Sequence, residues 1–73
     1  MKLNKTQCIF LCDFYNNNTP YKLIKGTRNK NTALGLSNDY PELFICQRLD
    51  HFEYSFTIKD LGYLPNFFKL KGY

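Results

Sequence analysis

The stretch HFEYSFTIK, residues 51–59, carries the clearest structural signal in the chain. Large apolar side chains alternate with polar or charged ones, as they do in a β-strand that buries one face. We predict that four side chains point inward: Phe52, Tyr54, Phe56 and Ile58. The five between them are predicted to point outward: His51, Glu53, Ser55, Thr57 and Lys59.

The segment before this strand is harder to assign. As a strand, residues 42–49 would alternate well, and we favour that reading. As a helix, they would have a start signal, because Asp39 could cap with Glu42 three residues on. Phe67–Tyr73 is predicted to form a final short strand.

The N-terminal third is dense in apolar residues. Lys5–Tyr15 is apolar on both sides of an extended chain, which favours a central strand, although a buried helix remains an alternative over so short a run. The sequence NNNTP, residues 16–20, predicts a loop, because Asn tolerates left-handed backbone angles and Pro20 restricts the residue before it. Tyr21–Lys25 then alternates as a hairpin partner for the first strand.

The window KGTRNKNT, residues 25–32, holds three cations and no acid. Gly26 and the Asn residues suit turn geometry, so we predict a hairpin or connecting loop. Thr32–Ser37 follows as a short strand-like or irregular piece.

These elements predict one compact domain over residues 1–73. The fold class is mainly β, an antiparallel meander or small open barrel of about five short strands, with one short helix near residues 39–49 as an option. An α+β fold is the alternative. Seven Phe and six Tyr supply the core of a chain of only 73 residues, because each aromatic buries about 150–250 Å².

The three cysteines are too few and too unevenly spaced for a disulfide framework. With no run near the ~20 apolar residues that span a bilayer, and an N-terminal apolar run shorter than a signal peptide needs, we expect a soluble, cytoplasmic protein without membrane attachment.

No constellation of residues predicts catalysis. His51 is the only histidine, and nothing in the spacing brings it to a cysteine nucleophile. A zinc site from Cys8, Cys12, Cys46 and His51 is disfavoured, because Cys8 and Cys12 on a strand would lie about 13 Å apart. We expect no enzyme activity, no metal and no cofactor.

Charge is distributed unevenly. Residues 1–30 carry six cations against Asp13 alone, residues 31–64 carry two cations against five acids, and residues 65–73 carry two cations. If the termini lie close together, the basic ends would form one face. The basic candidates for partner binding are Lys22, Lys25, Arg28, Lys30, Lys69 and Lys71. The acidic candidates are Asp39, Glu42, Asp50 and Glu53, and the aromatic contact candidates are Tyr21, Tyr40 and Tyr73.

These features predict a small binding protein that regulates or inhibits a protein partner by covering its surface. The alternative is an RNA- or DNA-binding module that uses the basic ends and the aromatics. The small size and the rich use of Asn, Lys, Phe and Tyr are similar to those of accessory proteins from A+T-rich viral or mobile genomes. Oligomeric state is left open.

Overall fold

The structure, a computed structural model, describes residues 2–72, and within them three α-helices pack on a three-stranded antiparallel sheet. The elements in chain order are α1 (Lys5–Asn16), β1 (Tyr21–Lys25), α2 (Thr27–Asp39), β2 (Phe44–Arg48), β3 (Glu53–Ile58) and α3 (Leu64–Leu70), with a 3₁₀ turn at Leu61–Tyr63. Of the described residues, 49% are helical, with the 3₁₀ turn included, and 23% are in strands. The prediction of a mainly β fold with five strands is therefore wrong, and the class is α+β.

The central strand of the sheet is β3, with β1 on one side and β2 on the other. Phe56 lies opposite Lys22 of β1 and Cys46 of β2. The predicted strand at residues 51–59 is thus confirmed over Glu53–Ile58. Phe52 does not point inward as predicted. It is 86% exposed, because it lies in the turn before the strand.

The Asp50 carboxylate shapes that turn. It accepts the N–H groups of Phe52 and Glu53, both at 2.9 Å, which is the local hydrogen bonding that Asp uses to stabilise turns. The chain consequently enters β3 only at Glu53, and the Phe52 side chain remains outside the core.

The core lies on one face of the sheet, beneath the helices, and is built around Phe56. The Phe56 ring centroid lies 5.1 Å from that of Phe10, 5.4 Å from that of Phe14 and 5.5 Å from that of Phe44. Such pairs add about 0.5–1.5 kcal/mol each beyond the area they bury. A second aromatic group continues from Phe44 to Phe67 of α3 at 5.5 Å, so the rings join all the layers.

The segment predicted as a central strand, residues 5–15, is helix α1 instead. Asn4 and Gln7 form a capping box: the Asn4 side chain accepts the Gln7 N–H at 2.7 Å, and the Gln7 side chain accepts the Asn4 N–H at 3.0 Å. This arrangement satisfies two of the N–H groups that a helix start leaves free. On the helix, Leu11 and Phe14 share the buried side.

The loop predicted for residues 16–20 is found at residues 17–20, because Asn16 still belongs to α1. The Asn17 side chain donates to the Asp13 carbonyl at 2.7 Å, and Asn18 adopts a left-handed φ of 51°. Asn tolerates that conformation better than most residues do. The loop then delivers the chain into β1 at Tyr21, a strand that the alternation predicted correctly, although its partner is β3.

The basic window, residues 25–32, is not a hairpin loop. It contains the start of α2, and Thr32–Ser37 lies inside the same helix. Gly26 precedes the helix at a φ of 90°, a value that L residues with side chains rarely adopt. Ala33 and Leu36, both fully buried, lie three residues apart on one side of α2, and their burial supports a helix whose composition is otherwise unfavourable.

The C-terminal half gives one confirmation and one correction. Residues 42–49 contain strand β2, as we favoured, and not the optional helix. The predicted strand at residues 67–73 is wrong over the described residues, because α3 occupies Leu64–Leu70. Pro65 lies in the first turn of α3, where its missing N–H costs nothing. Tyr73 lies outside the described residues.

The two ends of the described chain meet. The Lys2 side chain packs against Gly72: its Cε atom lies 3.1 Å from the position that a Cβ atom would take on Gly72. Residues 2 and 72 are therefore close together. No helix within residues 2–72 is both long and apolar enough to cross a membrane.

Candidate protein-binding cleft

A cleft runs between α1 and the edge strand β1. Its narrower part, about 360 Å³, is lined by Ile9, Phe10 and Asp13 of α1, by residues 22–25 of β1 and by Asn29 of α2. It continues into a wider part of about 660 Å³ that shares Ile9, Phe10 and Asn29 and adds Arg28 and Thr32. We call this continuous surface the β1 cleft. Its lining residues come from α1, β1 and α2, which are the first three elements of the chain.

The β1 cleft has an apolar wall on each side. Ile9 of α1 is 60% exposed and Leu23 of β1 is 50% exposed. Between them Phe10 forms part of the floor, held by ring contacts to Phe14 at 5.2 Å and to Phe56. Because Phe10 rests on the core, the floor is rigid while its two apolar walls remain accessible to a partner.

Three cations from the predicted basic set line the cleft. Lys22 forms an ion pair with Asp13 across it, and Lys25 lies 3.5 Å from Glu53. Arg28 is exposed and, among residues 2–72, has no carboxylate within 4.0 Å. The cleft therefore carries an excess of positive charge, and the guanidinium of Arg28 is its least compensated group.

The Lys22 ammonium lowers the pKa of the Asp13 carboxyl, first through a hydrogen bond and second through its charge. Because the pKa is lower in the folded state, the pair stabilises the protein fully above the unfolded value of about 3.9. That contribution is lost as the pH falls through the folded value.

We therefore expect Asp13→Asn to lower the melting temperature at pH 7, with the difference from wild type shrinking to zero under acid conditions. Thermal unfolding of both proteins between pH 7 and pH 2 measures it. A difference that stays constant over this range would show that the pair contributes nothing through charge.

The sheet face away from the helices carries exposed apolar side chains among polar ones. Four of its side chains are between 41% and 50% exposed: Tyr21, Leu23, Ile45 and Leu49. Ser55 points to this face, as predicted, but it lies between Leu23 and Gln47 in the register and is only 3% exposed. Tyr21, a predicted aromatic contact, lies on this face. Leu23 connects the face to the β1 cleft.

A second basic group surrounds the turn between β2 and β3. Lys30 lines a small cavity with His51 and Phe52, and its ammonium lies 5.9 Å from the Tyr54 ring centroid. Arg48 contacts His51 Nδ1 at 3.1 Å. Lys30 was predicted together with Lys25 and Arg28, but in the structure it projects toward this turn and does not line the β1 cleft.

The C-terminal lysines lie elsewhere. The Lys71 ammonium stacks 4.5 Å from the Tyr40 ring centroid, beside a cavity of about 350 Å³ that Glu42 also lines. Lys69 is exposed in the last turn of α3. This cavity shares no lining residue with the β1 cleft, so the structure does not bring the two lysines to the basic window.

The predicted acidic residues are also separated. Asp39 ends α2, and Glu42 lines the cavity beside Lys71. Asp50 holds the turn before β3, and Glu53 pairs with Lys25. Asp50 and Glu53 thus stabilise the protein's own structure, and the four carboxylates do not form one patch.

The chain was compared with protein-family models, curated proteins and solved structures. None of them matches it. The geometry of residues 2–72 and the chemistry of their side chains are therefore the basis for any functional proposal.

The cysteines occupy positions that the sequence did not predict. Because residues 5–16 are helical, Cys8 and Cys12 lie one helical turn apart, not about 13 Å apart as on a strand. Even so, no group of three His, Cys, Asp or Glu side chains able to hold a metal occurs among residues 2–72. All three cysteines are free.

Burial raises the pKa of the Cys46 thiol. Burial, followed by the influence of Cys8, raises that of Cys12. Since the thiolate is the nucleophile, we expect both residues to be alkylated more slowly at pH 8 than glutathione is. Iodoacetamide labelling followed by mass spectrometry tests this, and a Cys46 that reacts as fast as glutathione would contradict it.

Two of the main contributors to the site were missed by the sequence analysis. Ile9 and Leu23 were read as strand residues with no assigned partner role. The capping signal at Asn4 and Gln7 could have revealed α1 and placed Ile9 on a helix. No local signal marks the cleft itself, because α1 and β1 form its two walls only in the folded protein.

Proposed function

We propose that this protein is a non-enzymatic binding protein that regulates or inhibits a protein partner by covering part of its surface. The observation that carries the proposal is the continuity of exposed aliphatic and cationic side chains in the β1 cleft: Ile9 and Leu23 beside Lys25 and Arg28. Exposed apolar groups beside charged ones are typical of interfaces. The proposal includes an accessory role for a viral or mobile genome and a reducing compartment such as the cytoplasm, which suits three free thiols.

Chemistry favours a protein over a nucleic acid as the occupant of this cleft. The exposed walls, Ile9 and Leu23, are aliphatic, and the Phe10 ring beneath them is held in ring contacts with the core, so the described residues of the cleft offer bases no exposed ring on which to stack. Two of the three cations, Lys22 and Lys25, are already paired with carboxylates, which weakens their attraction for phosphates. A protein surface with an apolar centre and an acidic rim would complement the aliphatic walls and Arg28, which is unpaired among residues 2–72.

Area limits how the partner binds. A standard interface buries about 800 Å² on each side, close to a sixth of this protein's 4834 Å² of accessible surface. The open sheet face measures only roughly 240 Å² as a flat patch of three strands and five residues. A partner of ordinary affinity therefore has to contact more than the open face, and the β1 edge and the cleft adjoin that face at Leu23.

Affinity capture tests the proposal. Wild-type protein and Leu23→Asp are immobilised and exposed to a nuclease-treated host-cell lysate, with Leu70→Asp as the matched control. Leu70 is 72% exposed on α3 and is not part of the cleft lining. We expect a protein retained by wild type and Leu70→Asp but lost with Leu23→Asp. Capture of no protein, or equal retention by all three baits, would overturn the proposal.

One observation favours nucleic-acid binding as a second candidate function. Phe52 is 86% exposed and lies next to Lys30 and His51, with Arg48 in contact with His51. An aromatic side chain among cations is the combination that binds single strands. Fluorescence polarisation with mixed single-stranded oligonucleotides at low salt tests it, with Phe52→Ser as the variant. Binding that depends on Phe52 and falls steeply with salt would support it, whereas no binding would exclude it.

A further inference from the structure

The free edge of β1 presents backbone groups that the sheet does not use. The Ile58 N–H donates to the Pro20 carbonyl at 2.7 Å, and the register places these two residues opposite each other just beyond the ladder. Opposed residues in an antiparallel pair alternate between hydrogen-bonded and non-hydrogen-bonded pairs. The bonded pairs of β1 and β3 are therefore Lys22 with Phe56 and Ile24 with Tyr54.

The residues between them consequently direct their N–H and C=O groups away from β3. These are Tyr21, Leu23 and Lys25. The Lys25 carbonyl accepts the Asn29 side chain at 3.4 Å, which agrees with this orientation. Leu23 has no corresponding partner among residues 2–72, so its N–H and C=O both face the β1 cleft, which Leu23 itself lines.

The other edge of the sheet is less suited to a partner. By the same alternation, the Lys59 N–H bond to the Leu43 carbonyl at 2.9 Å makes Phe44, Cys46 and Arg48 the outward residues of β2. The Phe44 N–H is already bonded to the Tyr40 carbonyl at 3.1 Å. None of the five best-formed cavities around the described residues includes Cys46 or Arg48. Among these five cavities, the one at β1 is therefore the one that adjoins an open strand edge.

We propose that the β1 cleft binds an extended segment of the protein partner as a fourth strand alongside β1. This inference rests on the proposed function and specifies its mode. Main-chain hydrogen bonds to an open strand edge supply affinity in such complexes, and pockets for alternate side chains supply specificity. Here the free N–H and C=O of Leu23 supply the main-chain hydrogen bonds, and the two walls of the cleft supply the pockets for side chains.

The two faces of the sheet define the chemistry of the segment. Side chains of an added strand alternate between the open face and the helix side. On the open face they meet Leu23 and Tyr21, which favours aliphatic residues. On the helix side they meet Arg28 and the Lys22–Asp13 pair, with Ile9 between. A carboxylate there would compensate Arg28, so the segment alternates aliphatic with acidic residues.

Peptide probes test the charge requirement. A fluorescein-labelled eight-residue peptide that alternates isoleucine with glutamate is titrated by polarisation against the full-length protein, beside a peptide that alternates isoleucine with lysine. We expect the glutamate peptide to bind at least about tenfold more tightly, since like charges placed together are costly. Equal affinities, or no binding of the glutamate peptide up to about 1 mM, would overturn the proposal.

N-methylated versions of the glutamate peptide test strand addition itself. In an added strand, one alternate set of amide N–H groups faces β1 and the other faces solvent. Methylating the first set should weaken binding about tenfold or more, because each lost hydrogen bond contributes roughly a factor of several. Methylating the second set should leave affinity nearly unchanged. Equal effects of the two modifications would exclude a fourth strand.

A protein variant separates this inference from the proposed function. Leu23→Pro removes the outward N–H of Leu23 without removing a bond to β3, and proline is tolerated on edge strands. If a captured partner still binds this variant at wild-type affinity, strand addition fails while the binding function stands. If capture yields no partner, the function fails. Should the variant not fold, the methylated peptides decide the question with wild-type protein.

Discussion

Replacing Phe56 by alanine is expected to destabilise the protein by about 3–5 kcal/mol. Phe56 is fully buried at the centre of the sheet, and its ring contacts Phe10, Phe14 and Phe44. The substitution leaves a cavity that α1 cannot fill without losing its own contacts. Because a core of this size supplies no more than about 3–5 kcal/mol in total, we expect the variant to be largely unfolded at 25 °C, as measured by far-UV circular dichroism and urea titration.

Phe52→Ala is the matched control, with the same change of side chain four residues earlier. Phe52 is 86% exposed, and exposed substitutions usually change stability by less than about 0.5 kcal/mol. The pair separates burial from side-chain type. A Phe56→Ala protein that unfolds at the same urea concentration as Phe52→Ala would refute the placement of Phe56 in the core.

Replacing Lys25, Arg28 and Lys30 together by alanine is expected to weaken binding of a captured protein partner by at least tenfold, equivalent to about 1.4 kcal/mol. Lys25 and Arg28 are exposed at the β1 cleft, and no part of the core depends on their side chains. The melting temperature is therefore expected to stay close to that of wild type. Isothermal titration calorimetry measures the affinity.

Two further variants show which cations matter. If the β1 cleft is the site, Lys25→Ala with Arg28→Ala should reproduce most of the loss, and Lys30→Ala alone should not, because Lys30 faces the turn before β3. Lys59→Ala with Lys69→Ala removes the same charge from exposed positions outside the cleft lining. A loss of equal size in that control would mean that net charge, and not the cleft, governs binding.

Parts of the fold were readable from local pattern. The strand at 53–58, the strand at 44–48 and the strand at 21–25 all alternate, and all three were predicted. Apolar and polar side chains alternate over five or six residues because each strand has one face against the helices. The loop after Asn16 was also readable, because Asn and Pro restrict the backbone locally.

The helices were missed for different reasons. In α1 every residue from Cys8 to Cys12 is apolar, so no period was visible and only the capping residues carried a signal. In α2 the composition is polar, with Asn, Thr and Gly, all weak helix formers. Its helical state depends on the burial of Ala33 and Leu36 against the sheet, which is a tertiary effect.

The candidate site was only half predictable. Lys22, Lys25 and Arg28 were identified as candidate contacts from charge alone, and the structure places all three at one cleft. Lys69 and Lys71 had the same signal but lie on α3. The charge of a residue can be read from the sequence. Whether charged residues lie close together depends on how the helices pack, and no periodicity in the sequence shows that.

By itself, the sequence determined the three strands, the aromatic supply of the core and the concentration of positive charge near residues 22–30. Only the tertiary structure decided that α1 lies beside β1, that one face of the sheet stays open and that the Leu23 backbone faces a cleft. The physical reason is range. Alternation, capping and turn preferences act over about four residues, whereas a cleft forms when side chains distant in sequence bury the same core.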